Sequence, residues 1–187
     1  MKKLLITFSF AAMVCNYQAQ SSTGSTQNSG NNIANTGSDV TRQQAEEALA
    51  YHNKVRADVG VGPLSWSPQL ADFAQKWANN LVSNGKCKLE HRPGSGEWQG
   101  IYGENIAMLV PKNNASLESS EMWYSEISKF QNVTLDNTNW YAAGHYSQMI
   151  WRNTKSVGIG AAKCSNGYYI VVANYDPPGN YMGQKAY

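Results

Sequence analysis

The run Tyr168-Tyr169-Ile170-Val171-Val172-Ala173-Asn174-Tyr175 leaves fewer folding options than any other stretch of this chain. Successive side chains of a strand point to opposite faces, so a half-exposed strand alternates apolar and polar residues. This run is apolar on both faces and belongs inside a sheet that is covered on each side. A second strand-like run, Ser156 to Lys163, comes just before it. Between them stands Asn166-Gly167, a hairpin signal because both residues tolerate positive φ.

The cover comes from helical runs upstream. From Arg42 to Val59, Ala45, Leu49, His52 and Val55 recur at three- and four-residue steps, and Gly60, Gly62 and Pro63 stop the pattern. Ser67-Pro68 opens a second helix as N-cap and first-turn proline, with Leu70, Phe73, Ala74, Trp77 and Leu81 inward and Asn84-Gly85 as its end. Residues Cys87 to Asn105 are rich in glycine and polar side chains and read as an irregular loop. A third helix starts near Ser116 and carries Trp123, Ile127 and Phe130 on one stripe, and Gly144 to Trp151 reads as a short fourth. Helices over both faces of a hairpin give an α+β class, a three-layer α/β/α sandwich spanning residues 41–187, the size of one domain.

The stretch before residue 41 is of another kind. Met-Lys-Lys followed by a mostly apolar run from Leu4 to Val14 reads as a secretory signal covering residues 1–19, too short to span a bilayer. Cys15 offers the alternative of a lipid-anchored N-terminus. Residues 20–40 are Ser, Thr, Gly, Asn and Gln with almost no apolar content, a composition expected to form a disordered polar linker. The whole chain has 15 Lys+Arg and 13 Asp+Glu, and loss of Lys2 and Lys3 with the signal leaves 13 of each. A near-neutral mature chain carries no electrostatic footprint for nucleic acid. No other apolar stretch is long enough for a transmembrane segment.

Once Cys15 leaves, Cys87 and Cys164 remain. In an oxidising compartment an even pair most simply forms one disulfide, closing a loop of over seventy residues for about 4 kcal/mol on the chain-entropy account. The alternative is two unpaired buried thiols.

Three histidines are candidates for chemistry: His52, His91 and His145. His52 stands among core positions of the first helix and reads as structural. Glu126 lies three residues after Trp123 and four before Phe130, at the edge of an apolar stripe. There a carboxylate costs several kcal/mol unless it meets a cation, donors or a metal. Glu104 stands in Tyr-Gly-Glu-Asn-Ile-Ala, His91 four residues after Cys87, and His145 in the aromatic-rich run Gly-His-Tyr-Ser-Gln-Met-Ile-Trp. Two neutral imidazoles can bind a divalent cation, with carboxylates orienting the rings or completing the shell. None of these spacings is a zinc motif by itself.

Taken together, these segments resemble a known family. Gly144-His145-Tyr146-Ser147-Gln148-Met149-Ile150-Trp151 and Tyr169 to Tyr181 (Tyr-Ile-Val-Val-Ala-Asn-Tyr-Asp-Pro-Pro-Gly-Asn-Tyr) resemble the two diagnostic motifs of the CAP superfamily. Its members are the cysteine-rich secretory, antigen 5 and pathogenesis-related 1 proteins, also called SCP-domain proteins. His52-Asn53 with Arg56-Ala57, Tyr102 to Ala107, and Trp123 to Glu126 match three further segments, in order, over nearly all of Ala45 to Tyr187. The likeness is nearest to the plant pathogenesis-related 1 type, although one disulfide and a pared-down domain suggest a bacterial source. The resemblance implies a central cleft built from His91, His145, Glu104 and Glu126, in which His91 and His145 hold zinc or another divalent metal. Plant relatives carry three disulfides; here Cys87 and Cys164 keep one, while Ala143, Ile159 and Ala173 stand where other cysteines would be. The segment Pro177 to Tyr187 resembles a plant signalling peptide, but Ala186 replaces its proline, and that role is not expected.

Three functions follow from the resemblance. The first is binding of a sterol, fatty acid or other apolar ligand, with Trp98, Trp123, Trp140 and Trp151 available to line a groove. The second is metal-dependent, protease-like hydrolysis in the same cleft, with Glu104 or Glu126 as base; Ser147, two residues from His145, is poorly placed as a nucleophile. The third is engagement of an extracellular protein partner. The balance leans away from an enzyme. Asn114-Ala-Ser and Asn132-Val-Thr are glycosylation sequons in a eukaryotic secretory pathway only.

Overall fold

The protein is described by a computed structural model covering residues 33–84 and 86–187. The signal-like residues 1–19, Cys15 and residues 20–32 of the spacer lie outside the described residues. The elements run α1 (Arg42–Asp58), β1 (Ser65–Trp66), α2 (Pro68–Ser83), β2 (Gly103–Leu109), α3 (Ala115–Tyr124), α4 (Gly144–Met149), β3 (Ser156–Lys163) and β4 (Tyr169–Asp176). Four strands form one mixed sheet in the order β1-β3-β4-β2, with β1 parallel to β3 and the other pairs antiparallel. The architecture is an α+β sandwich in three layers.

β4 fills the position its sequence demands, paired on both edges and covered on both faces. Ile170 and Val172 pack with Ala74, Trp77, Ala78 and Leu81 of α2. Val171, Ala173 and Tyr175 join the opposite core with Ala45, Ala48 and Leu49 of α1, Trp123 of α3 and Tyr146 and Met149 of α4. β3 solves the same problem differently. Its face toward α2 carries Gly158 and Gly160, where a Cβ would run into the backbone of Leu70 and Ala71 and of Ala74 and Gln75 respectively. The helix therefore lies directly on the strand, and Gln75 bridges the two by accepting from Ala161 N (3.0 Å) and donating to Ala161 O (2.9 Å).

Several expectations change at the edges of elements. The hairpin turn is not the two-residue form suggested by Asn166-Gly167: only Gly167 has positive φ (91°), and its N–H donates to Cys164 O. This is a three-residue loop whose left-handed glycine absorbs the strand twist. The loop read as Cys87 to Asn105 ends early, because Gly103 to Asn105 already pair with Tyr175 to Ala173 of β4. α3 yields to a 3-10 segment, Ser125–Lys129, so Ile127 turns outward, 40% exposed, instead of continuing the Trp123 stripe. Of the four tryptophans considered for a groove, Trp123 and Trp151 are core residues and Trp98 packs on Trp77. Part of the spacer is also ordered. Ile33 and Val40 are buried in the core, Ser38 Oγ donates to Ile159 O, and Thr36 O accepts from the Trp66 indole. Two apolar anchors in a polar stretch are enough to hold it down.

Cys87 and Cys164 form the disulfide, joining the end of α2 to the end of β3. Lys86 and Cys87 both hold positive φ (51° and 57°), a conformation that costs non-glycine residues free energy and persists only where surrounding bonds impose it. Both sequon asparagines are structural: Asn114 caps α3 and donates to Glu47, and Asn132 donates to Tyr187 O.

His52 is fully buried, with Nδ1 donating to Ala48 O (2.9 Å) and Nε2 accepting from the Tyr175 hydroxyl (2.9 Å). Burial pushes its pKa down to about 4, against the Ala48 hydrogen bond and with help from nearby Arg56. A depressed histidine pKa stabilises the fold fully above the unfolded value near 6.5, and the contribution fades as the pH falls toward 4. The urea midpoint is expected to fall across that window, by at most about 3 kcal/mol in unfolding free energy, and ring NMR should find His52 neutral until the pH nears 4. Gly160→Ala is expected to cost about 2–3 kcal/mol, read as a lower urea midpoint, whereas Gly62→Ala, with nothing within 4 Å of the added Cβ, should stay within about 0.5 kcal/mol.

Candidate functional site

His91, Glu104, Asn105, Trp140, Tyr141, Gly144, His145 and Asn180 line one open cleft of about 290 Å³. Four parts of the chain meet there. His91 stands on the loop between α2 and β2, and Glu104 and Asn105 at the start of β2. Trp140 to His145 run into the first turn of α4, and Asn180 lies in the segment after β4.

The two histidines are built alike. His91 Nδ1 donates to Glu104 Oε1 (2.7 Å), and His145 Nδ1 donates to Glu126 Oε1 (2.7 Å). A carboxylate on Nδ1 fixes the tautomer with its lone pair on Nε2. Neither Nε2 has a hydrogen-bond partner among the described residues, and both rings reach solvent, with side-chain exposures of 60% for His91 and 34% for His145.

The carboxylates are held differently. Glu126 sits on the 3-10 segment after α3, where its Oε2 accepts from the backbone N–H groups of His145 (2.9 Å) and Tyr146 (3.1 Å). Burial alone would raise its pKa; the His145 ring and the two N–H groups outweigh that and hold it below the usual glutamate range. The physical demand read from the sequence, that a carboxylate turned toward a core must find donors, is met by α4. Glu104 Oε1 also accepts from Arg92 N (3.1 Å), and its hydrogen bond to His91 lifts that ring's pKa above the ordinary histidine value despite partial burial.

Behind the cleft runs a buried polar relay. The Tyr175 hydroxyl, which donates to His52, accepts from Asn105 Nδ2 (3.2 Å), and the same amide donates to His145 O (3.0 Å). Asn180, in a left-handed conformation (φ 56°), accepts from Ser147 Oγ (2.7 Å) and donates to Gly144 O (2.8 Å). Ser147 is buried and its only proton is committed, so it serves the fold and does not face the cleft as a nucleophile.

Sequence reasoning singled out His91, Glu104, Glu126 and His145, and these stand together. Glu126 does so from behind His145 and not on the cleft wall. His52 lies apart, in the core. Arg92, Asn105, Asn180 and Tyr141 carry no sequence signal as site residues, and Trp140 is expected only as a groove-lining ring; Asn105 and Asn180 fall within segments that carry the family likeness. Trp140 (46% exposed) and Tyr141 (68% exposed) form the cleft's outer wall. Trp140 also borders a second, mainly apolar pocket of about 200 Å³ with Phe130, Val133, Leu135, Ala142 and Ala143.

No group of three or more His, Cys, Asp or Glu side chains able to hold a metal ion together occurs among the described residues. An ion in this cleft would find the two imidazole Nε2 atoms as its protein donors and would need water or an outside ligand for its further positions. That set suits zinc, which takes neutral imidazole readily.

The model of the cysteine-rich secretory protein family, CAP, matches residues 49–175. Pathogenesis-related protein 1A of Nicotiana tabacum is 39% identical over 142 residues, covering 76% of this chain and 80% of that protein. Pathogenesis-related protein 1 of Arabidopsis thaliana is 39% identical over 145 residues, with 76% and 81% covered. Among solved structures, BmVAL-1 is similar with a TM-score of 0.69 at 27% identity, over 82% of this chain and 85% of that one. The structure of NaASP2 with Zn2+ has a TM-score of 0.68 at 24% identity, with 79% and 86% covered, a likeness of fold alone. Five motifs in order, the sandwich that carries them and this extent of identity agree: the chain belongs to the cysteine-rich secretory protein (CAP) family, alongside the plant pathogenesis-related 1 proteins.

Proposed function

We propose that this is an exported CAP protein whose central cleft binds a divalent metal, zinc first, between His91 Nε2 and His145 Nε2. It acts by binding apolar ligands such as sterols or fatty acids, or extracellular partners. One observation carries the metal reading: both imidazoles line the same cleft, each with Nδ1 tied to its own carboxylate and Nε2 without a partner among the described residues. In this arrangement Glu104 and Glu126 orient the rings and set their basicity; they are not ligands. A bound ion would supply charge to hold an anionic ligand or polarise a bound oxygen.

For apolar ligands, support comes from the pocket beside Trp140, which has room for a short acyl stretch or part of a ring system. Export is supported by the signal-like N-terminus, by the disulfide and by membership in a secretory family. No helix among the described residues is long and apolar enough to cross a membrane.

The hydrolase reading gains less. A general base must bring a carboxylate oxygen within hydrogen-bond reach of the attacking water, and competing donors on that oxygen weaken it as a base. Both Glu126 oxygens and Glu104 Oε1 already accept hydrogen bonds, and Glu104 Oε2 is buried away from solvent.

Calorimetric zinc titration of the purified protein is expected to show one ion bound per chain, with binding lost in His91→Ala and in His145→Ala. Equal binding in all three proteins would remove the metal site. Titration with a fatty acid or sterol is expected to saturate, and to weaken at least tenfold in Leu135→Glu, which places a carboxylate in the pocket; no saturation would remove the apolar-ligand reading.

A further inference from the structure

Arg92 is an unusual residue to find beside the cleft. Its side chain is only 4% exposed. The guanidinium lies 3.7 Å from the Phe73 ring centre, 5.2 Å from Trp77 and 5.6 Å from Trp98, and Nη2 donates to Phe73 O. Trp77 is itself fixed, its indole N–H donating to Glu90 O at 2.9 Å. Three rings and a carbonyl therefore hold the cation in one place, as the planar, weakly hydrated guanidinium allows.

What it faces is Glu104. Arg92 Nε stands 3.9 Å from Glu104 Oε2, and both atoms are buried with no hydrogen-bond partner among the described residues. A buried carboxylate oxygen without donors is costly, and among the described residues its compensation is the neighbouring positive charge. The contrast with Glu126 defines the problem. Glu126 is gripped through both oxygens by donors from α4 and His145, whereas Glu104 receives donors on Oε1 alone. His91 adds to the difference, since its ring sits on an irregular loop and is the more exposed of the two. Without the cation, the carboxylate would be held among the described residues through Oε1 alone, Oε2 would be left to swing toward water, and the ring that hangs from Oε1 would follow.

We propose that Arg92, caged by Phe73, Trp77 and Trp98, is the positioning residue that locks the Glu104 carboxylate and, through it, the His91 imidazole with Nε2 toward the cleft. The Arg92 side chain does not line the cleft and acts through Glu104. This rests on the reading that the cleft takes a divalent ion, and the test separates the two ideas by examining the ring without metal.

The experiment is nitrogen-15 NMR of the histidine rings in the full chain, metal-free and at mildly alkaline pH, for wild type and Arg92→Gln, followed by zinc calorimetry of both. In the wild type, His91 is expected as a single tautomer protonated on Nδ1. In Arg92→Gln it becomes a mixture, the His145 ring signals stay unchanged, and zinc affinity falls about 10- to 100-fold, the usual effect of losing an outer-shell partner. Should Arg92→Gln fail to fold, Arg92→Lys takes its place: it keeps a cation among the rings but loses the planar Nε opposite Glu104, and the same mixed tautomer with about a tenfold loss is expected. A single His91 tautomer with wild-type zinc affinity in the variant overturns the proposal. A change of tautomer when neither protein binds zinc upholds Arg92 and removes the metal ion.

Discussion

The guanidinium of Arg56 ties together segments that have little else in common. It is fully buried in the last turn of α1 and donates to the carbonyls of Gly62 (2.7 Å), Met149 (2.9 Å), Trp151 (3.0 Å) and Thr154 (3.1 Å). None of its partners is a carboxylate. Burial lowers its pKa only to about 10, so the charge persists at neutral pH. Two of the four carbonyls close the C-terminal end of α4, where the helix dipole presents partial negative charge. One side chain thus joins the end of α1, the loop after it, α4 and the turn into β3. Asn53, on the preceding turn of α1, does the same for Leu64 through a reciprocal pair of hydrogen bonds. The alignment of α4 against the sheet, and with it the height at which His145 enters the cleft, follows from these buried contacts.

Core and cleft are in this sense one polar construction. The relay from Ala48 O through His52, Tyr175 and Asn105 to His145 O links five groups by four hydrogen bonds on the face of the sheet that α1 covers. Buried polar chains of this kind are costly when any member is missing and specify a single arrangement when complete. They explain why a fold of modest size can hold two flexible imidazoles in register. The backbone of α4 secures one histidine, whereas the other depends on a loop and its aromatic cage.

Much of this was legible in the chain where a physical period was strong. The amphipathic repeats of α1 and α2 located those helices to within a residue, and the two-faced apolar run announced β4. β2 escaped because Gly-Glu-Asn at its start looks like a loop; those residues are polar because Glu104 and Asn105 serve the cleft and Gly103 passes close to Gln148. β1 has two residues and no period to read. Ile127 misled because a helical stripe presumes the helix continues past Ser125. At the site, spacing made Glu126 conspicuous, since a carboxylate on an apolar edge needs a reason. It said nothing that would join His91 to Glu104, thirteen residues apart without regular structure between them; only the family likeness did. Arg92 gave no signal, because a cage of Phe73, Trp77 and Trp98 exists only after α2 and the loop have come together.

The strand order carries a consequence for how such a chain is made. Only β3 and β4 are neighbours in both sequence and sheet; β1 and β2 pair with strands that follow them by dozens of residues. Emerging from its N-terminal end, the polypeptide shows the apolar faces of α1, α2 and α3 before the hairpin at the centre of the sheet exists to receive them. The hairpin that completes the sheet arrives last, and with it Cys164, the second half of the disulfide. Closure of long loops is slow compared with local pairing. Both cores can therefore close only once the last strands have been made, and assembly of the sheet waits on the C-terminal end of the chain.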